Sequence, residues 1–103
     1  MSTTVETLRV LEPATEEVLA EVPRASVQEA DAAIGRAQEA FPAWRALAPS
    51  ERGSLLRRIA SAIERRAEEL AQLEARNVGK PISDARGEVA MVAQCFTYYA
   101  AAP

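Results

Sequence analysis

Residues 75–82 read Ala-Arg-Asn-Val-Gly-Lys-Pro-Ile and fix a corner between two helices. Asn77 and Gly79 both tolerate the left-handed backbone that ends a helix, so they supply a C-terminal stop. Pro81 cannot donate to a helical ladder and reinforces it. The helix before this corner opens near Pro49, a residue suited to a first helical turn, with Glu51 favoured there by the dipole. Leu56, Ile59, Ile63, Leu70 and Leu73 form its apolar stripe. The spacing predicts one helix over 49–77, long for a small globular chain. After the corner, a helix is expected from about 83 to 101. Its Val89, Val92, Phe96 and Tyr99 share one face, and Met91 and Cys95 an adjoining one.

Upstream, two short apolar runs, Leu8 to Leu11 and Val18 to Val22, flank Glu12-Pro13-Ala14-Thr15-Glu16-Glu17. Proline presets a turn and Thr15 can bond its own backbone, so a β-hairpin is expected over 8–22. A two-stranded hairpin is marginal alone and must lie on something else. Ser26-Val27-Gln28-Glu29 is a capping box that opens a helix over 26–41. Val27, Ala30, Ile34, Ala37 and Phe41 fall on one face, and Pro42 is expected to close it. Trp44 lies in the connector to the next helix. The fold class is therefore mainly α: an N-terminal β-hairpin followed by three helices. No internal repeat or interdomain linker interrupts it.

The 103 residues suffice for one small domain with a modest core. Of the 49% hydrophobic fraction much is alanine, and aromatics are only 5%. Alanine favours helix and buries little area, so the core is thin. This thin core, and a chain that stops just after Tyr98-Tyr99, suggest a piece cut short of its domain. The aromatic residues Trp44, Phe96, Tyr98 and Tyr99 are expected to meet surfaces outside it, either the remainder of a longer chain or other copies through self-association.

With no histidine and one cysteine, disulfide frameworks, the common zinc sites and a Ser-His-Asp triad are excluded. A net charge of -3 gives no case for nucleic acid or an anionic membrane as partner. Arg57, Arg58, Arg65 and Arg66 cluster, but Glu64, Glu68 and Glu69 interleave with them. The expectation is a solvated, ion-paired helix face and not a phosphate-binding stripe. Residues Met1 to Glu6 have no basic region or apolar run, so no signal peptide is read, and no stretch is apolar enough to span a bilayer. The expected setting is a reduced cytoplasm.

Several motifs, in order, resemble the aldehyde dehydrogenase superfamily. Glu12 to Val18 is similar to the family's Asn-Pro-Ala-Thr-Gly-Glu turn. Ala40-Phe41-Pro42-Ala43-Trp44-Arg45 is similar to its helix-to-helix connector, and Glu51-Arg52 through Ile59 to the start of its long helix. Gly79-Lys80-Pro81 matches its corner, and Tyr98-Tyr99-Ala100 the end of the next helix. The resemblance covers nearly the whole chain after its first residues and implies the N-terminal part of that family's α/β fold. Within the superfamily, Asn77 to Pro81 and Val92 to Tyr99 look most like the betaine-aldehyde and aminoaldehyde branch.

The resemblance implies oxidation of an aldehyde to its acid with NAD or NADP in a full-length enzyme. In the family a cysteine thiolate attacks the aldehyde, hydride leaves for the nicotinamide, and a glutamate-activated water hydrolyses the thioester. The family's Gly-Gln-x-Cys nucleophile, glutamate base and dinucleotide-binding unit have no counterpart in these residues. No catalytic or cofactor-binding residue is therefore assigned to this chain, and no activity is expected of it alone. Cys95, mid-helix between Gln94 and Phe96, is read as a buried structural thiol. The resemblance also carries two minor sites. Glu88 and Met91 match the family's substrate-entrance helix, where an acid would favour a cationic substrate tail; the plainer alternative is a solvated glutamate and a core methionine. Leu11, through its carbonyl, and Asn77 match positions that hold a structural alkali cation, although relatives carry an aspartate at the second, and a helix C-cap is the alternative for Asn77. The rival to the enzyme reading is a non-catalytic helical scaffold or interaction protein descended from such an enzyme.

Overall fold

The computed structural model describes residues 5–102. The reading of the N-terminus as leaderless falls largely on Met1–Thr4, outside the described residues. Two strands, β1 (Thr7–Leu11) and β2 (Val18–Pro23), precede four helices: α1 (Val27–Ala46), α2 (Pro49–Arg65), α3 (Ala67–Val78) and α4 (Ile82–Ala101). The strands pair antiparallel, with Leu8 opposite Val22 and Val10 opposite Ala20, and a bulge between Val10 and Leu11. In the turn, the Glu17 N–H donates to Thr15 Oγ1 at 3.3 Å. Glu16 takes the left-handed conformation, φ 61°, a position that favours glycine. The family turn quoted above carries glycine there.

The capping box that opens α1 is formed: the Glu29 N–H donates to Ser26 Oγ at 3.1 Å and the Ser26 N–H to Glu29 Oε2 at 2.7 Å. The expected end at Phe41 is not observed, because α1 runs through Pro42 to Ala46. Proline there removes the donor that would serve the Gln38 carbonyl. Gln38 and Pro42 are both exposed, so water can satisfy the freed carbonyl. The expected apolar face of α1 is uncovered: the helix buries no residue.

The helix expected over 49–77 is two helices. Arg66 leaves the helical region at φ −110°, ψ 18°. Its N–H reaches back to the Ile63 carbonyl, at 3.1 Å, and the Leu70 N–H restarts the ladder on the Arg66 carbonyl, at 3.0 Å. Both halves pack against α4. The break gives each half its own orientation on α4, which one straight helix of that length would not have. Gly79 ends α3 at φ 76°, its N–H on the Ala75 carbonyl at 2.9 Å, and Asn77 stays inside the last helical turn. The C-cap is therefore the glycine. Pro81 then opens α4, its carbonyl accepting from the Asp84 and Ala85 amides.

The packed seam is built of small residues. Among the described residues, those buried are Gly53, Ala60, Ala71, Ala85, Ala93 and Ala100. A Cβ built on Gly53 would collide with the Ala100 carbonyl oxygen, so α2 and α4 approach as closely as a bare backbone allows. The apolar stripe predicted for the long helix is only partly covered: Leu56, Ile63 and Leu70 are half-buried, while Ile59 and Leu73 are exposed. On α4, Val89 and Phe96 are half-buried and Val92 and Tyr99 exposed. Cys95 is exposed, not buried. The molecule is a plate of 47 × 45 × 16 Å with a radius of gyration of 17.9 Å. A compact chain of this length has a radius of gyration of about 13 Å. Its accessible surface is 8161 Å², against roughly 5,700 Å² for a folded monomer of this mass.

Candidate functional site

Grooves open on the helical side. One, of about 420 Å³, runs between α3 and α4 and is lined by Ile63, Leu70, Leu73, Glu74, Asn77, Glu88, Val89 and Val92. Lys80 spans its polar end. Its ammonium donates to Glu74 Oε1 at 3.1 Å and to Glu88 Oε2. Those two bonds, Glu88 foremost, hold the Lys80 pKa above the ordinary lysine range. The corner is thus tied to both helices it joins. In the sequence Lys80 is only part of a turn; what brings it to Glu74 and Glu88 is how α3 and α4 cross.

Of the four candidate site residues, Glu88 and Asn77 share this groove, and Met91 does not line it. Met91 is 64% exposed, so it is not a core methionine within this chain. Leu11, 52% exposed, ends β1. The hairpin turn beside it meets the end of α3. Arg76 donates to both Glu12 oxygens, at 3.3 and 3.1 Å, and Pro13 Cβ lies 3.7 Å from where a Gly79 Cβ would stand. Glu12 is the less exposed partner, at 15%, and the pair raises the Arg76 pKa. Leu11 and Asn77 each neighbour one member of this clamp in sequence. The clamp itself joins residues 64 apart, which no local pattern signals.

Another groove, of about 880 Å³, lies beside α2, with Trp44 at the end of α1 as one wall. Arg57, Arg58 and Arg65 line it. The expected ion-paired arginine face holds only in part. Arg66 pairs with Glu69, Nε to Oε2 at 2.9 Å, while Glu68 turns to Arg86 on α4, with bonds of 2.9 and 2.8 Å. Arg86 first, then Gln72, lowers the Glu68 pKa to about 2. Arg57, Arg58 and Arg65 have no carboxylate within salt-bridge distance among the described residues. Interleaved charges on one helix predict pairing along that helix; here the neighbouring helix takes the acid instead.

Among the described residues, no group of three or more histidine, cysteine, aspartate or glutamate side chains is placed to hold a metal, and no helix is long and apolar enough to cross a membrane. The profile of the aldehyde dehydrogenase family matches residues 1–103. Glutarate-semialdehyde dehydrogenase of Pseudomonas putida is 39% identical over 95 residues, which is 92% of this chain and 20% of that protein. PnpE, solved in complex with nicotinamide adenine dinucleotide, is 42% identical with a TM-score of 0.89 over 93% of this chain and 20% of its own. Glyceraldehyde-3-phosphate dehydrogenase GapN of Methanocaldococcus jannaschii, complexed with NADP, is 33% identical with a TM-score of 0.87, over 95% of this chain and 21% of its own.

A hairpin followed by a helical layer with a Gly-Lys-Pro corner is the N-terminal architecture of these oxidoreductases, and the chain belongs to the aldehyde dehydrogenase family. It spans about a fifth of the length of the relatives it matches.

Proposed function

We propose that this chain is the N-terminal segment of an NAD- or NADP-dependent aldehyde dehydrogenase that oxidises an aldehyde to its carboxylic acid in the cytoplasm. The observation that carries the reading is the likeness to NAD-bound PnpE: 42% identity and a TM-score of 0.89 over 93% of the chain. The coenzyme supplies the oxidant, and residues outside this segment bind it and react with the aldehyde. The chain alone is inactive. Its part is structural: the plate of helices and the hairpin present their uncovered faces to the remainder of the enzyme, or to other copies when isolated.

Glu88 is proposed to border the substrate entrance with Met91. Its pairing with Lys80 offsets the charge that would draw a cationic tail, so its pull on substrate is small. The Leu11 carbonyl and the Asn77 amide are proposed to hold a structural alkali cation. Both oxygens are neutral and the neighbouring Glu12 is engaged by Arg76, so this donor set is a weak one for a hard cation.

Spectrophotometric assay of full-length protein tests the main reading. Reduction of NAD or NADP is expected with an aldehyde such as glutarate semialdehyde, and none above background from the 103-residue chain. A full-length protein that oxidises no member of a broad aldehyde panel would overturn it.

A further inference from the structure

Lys80 stands just ahead of α4, yet its side chain is committed to both helices that the corner joins. The ammonium donates to Glu74 Oε1 on α3 at 3.1 Å and to Glu88 Oε2 on α4. It is the least exposed of the three side chains, at 25% against 38% for Glu74 and 51% for Glu88. Glu88 lies nearly two turns into α4, so Lys80 reaches it from the N-terminal end of that helix. Helical side chains already lean toward that end, and the ammonium holds the Glu88 carboxylate there. Met91 lies three residues further on, one turn toward the C-terminal end. The bond to Lys80 thus draws the carboxylate away from Met91 and sets a positive charge against it. Two other acids lie close by. Glu74 is engaged by the same ammonium. Asp84, four residues before Glu88, is in the first turn of α4, where the helix dipole favours its charge.

We propose that Lys80 determines substrate specificity through Glu88: by holding that carboxylate it denies a cationic aldehyde tail its partner, and the enzyme selects aldehydes whose tail carries no positive charge. The inference rests on the reading that Glu88 and Met91 border the substrate entrance. Lys80 is a positioning residue in this role, because it acts on substrate only by way of Glu88. A lysine that merely shaped the corner would affect every aldehyde alike. One that restrains Glu88 affects them according to charge. Glu74 takes part as the competitor for the same ammonium.

Steady-state kinetics of the full-length protein on two aldehydes of the same shape test this. Betaine aldehyde carries a trimethylammonium tail; tert-butylacetaldehyde has carbon in place of that nitrogen and no charge. Wild type should show the higher kcat/KM on the uncharged one. Lys80→Met should raise the ratio of betaine aldehyde to its isostere by about threefold, through KM and not kcat, the scale of a part-exposed ion pair. Lys80→Arg keeps the charge and should keep the wild-type ratio. Lys80→Met/Glu88→Gln should lose the gain. Glu74→Gln leaves the ammonium to Glu88 alone and should lower the ratio. Thermal melts establish which variants fold, and Glu74→Gln decides the matter should Lys80→Met not fold. A wild type that favours the cation overturns the proposal. So does a ratio indifferent to Lys80→Met, or in its place to Glu74→Gln, a change shared equally by both aldehydes, or a gain that persists without Glu88. These outcomes leave the enzyme active and the proposed function standing. A protein that oxidises no aldehyde of a broad panel removes that reading, and this inference with it.

Discussion

Two glycines in helices separate the two halves of this molecule. Gly53 on α2 lies under the Ala100 carbonyl, where no Cβ fits. Gly35 on α1 has nothing within 4 Å of its Cβ position. The same residue type is a packing requirement in one helix and only a propensity cost in the other. The α2–α3–α4 layer is held by close approach of small side chains and by ion pairs that cross between helices. The hairpin is held by its turn, its bulge and the Glu12–Arg76 clamp to α3, and α1 by its capping box. Their apolar residues, Leu8, Val22, Ile34 and Phe41, are exposed. Only the helical layer therefore has an interior, and among the described residues that interior fully buries no large side chain.

The sharpest way to break this contrast is a pair of substitutions in the full-length protein, followed by urea unfolding. Gly53→Ala should destabilise by roughly 1–3 kcal/mol, as overpacking against fixed backbone does. Gly35→Ala should stabilise by about 0.5–1 kcal/mol, the helix-propensity gain of alanine over glycine. If both substitutions shift stability in the same direction, the division of the molecule into a packed and an unpacked half is wrong.

A smaller gain is expected at the turn. Glu16 holds a left-handed backbone at φ 61°, a conformation that costs a side-chain-bearing residue about 1 kcal/mol. Glycine relieves that strain but loses more freedom on folding. The net gain for Glu16→Gly is about 0.5 kcal/mol, read from the same unfolding curves. No gain at all would mean that the turn relaxes to another geometry.

The smallest effect concerns charge between α3 and α4. Glu68 is held near pKa 2 by Arg86 and Gln72. A carboxylate whose pKa is lowered on folding favours the folded state above its unfolded value. That contribution fades as pH falls through the folded value. The window is therefore from about 4.5 down to about 2. Both side chains are more than half exposed, so water and salt screen the pair and the change in stability is slight. Carbon-detected NMR should show Glu68 titrating below the ordinary carboxylate range, and Arg86→Gln should move it back toward that range. An unchanged Glu68 titration in that variant would remove the cross-helix pair from the account.

Some of the fold was legible because its causes are local. Ser26 and Glu29 are three residues apart, and their reciprocal bonds need only the helix they start. Gly79 ends a helix because it alone among its neighbours reaches φ 76° without a clash. Pro49 opens a helix because its missing N–H is not needed there. Thr15 closes the hairpin turn on an amide two residues away. Pro42 is the exception among the local signals, because a proline inside a helix is costly yet survivable where its lost partner faces water. The ordered motifs also carried the family, since they depend on the identity of residues and not on how they pack.

What only the tertiary structure decided lies between segments far apart in the chain. The break at Arg66 has no glycine or proline to announce it; it follows from two helical segments each fitting α4. The need for Gly53 arises from Ala100, and the engagement of Glu12 from Arg76. Glu68, spaced for pairing on its own helix, instead meets Arg86 of α4, and Arg58 and Arg65 are left to face an open groove. The amino-acid sequence by itself determined where helices and the hairpin begin and turn, because those choices are settled by atoms within a few residues. Which charges are paired, which glycine is indispensable and which apolar faces stay uncovered were decided by the crossing of α2, α3 and α4, because Coulomb and packing forces act through space and take no account of distance along the chain.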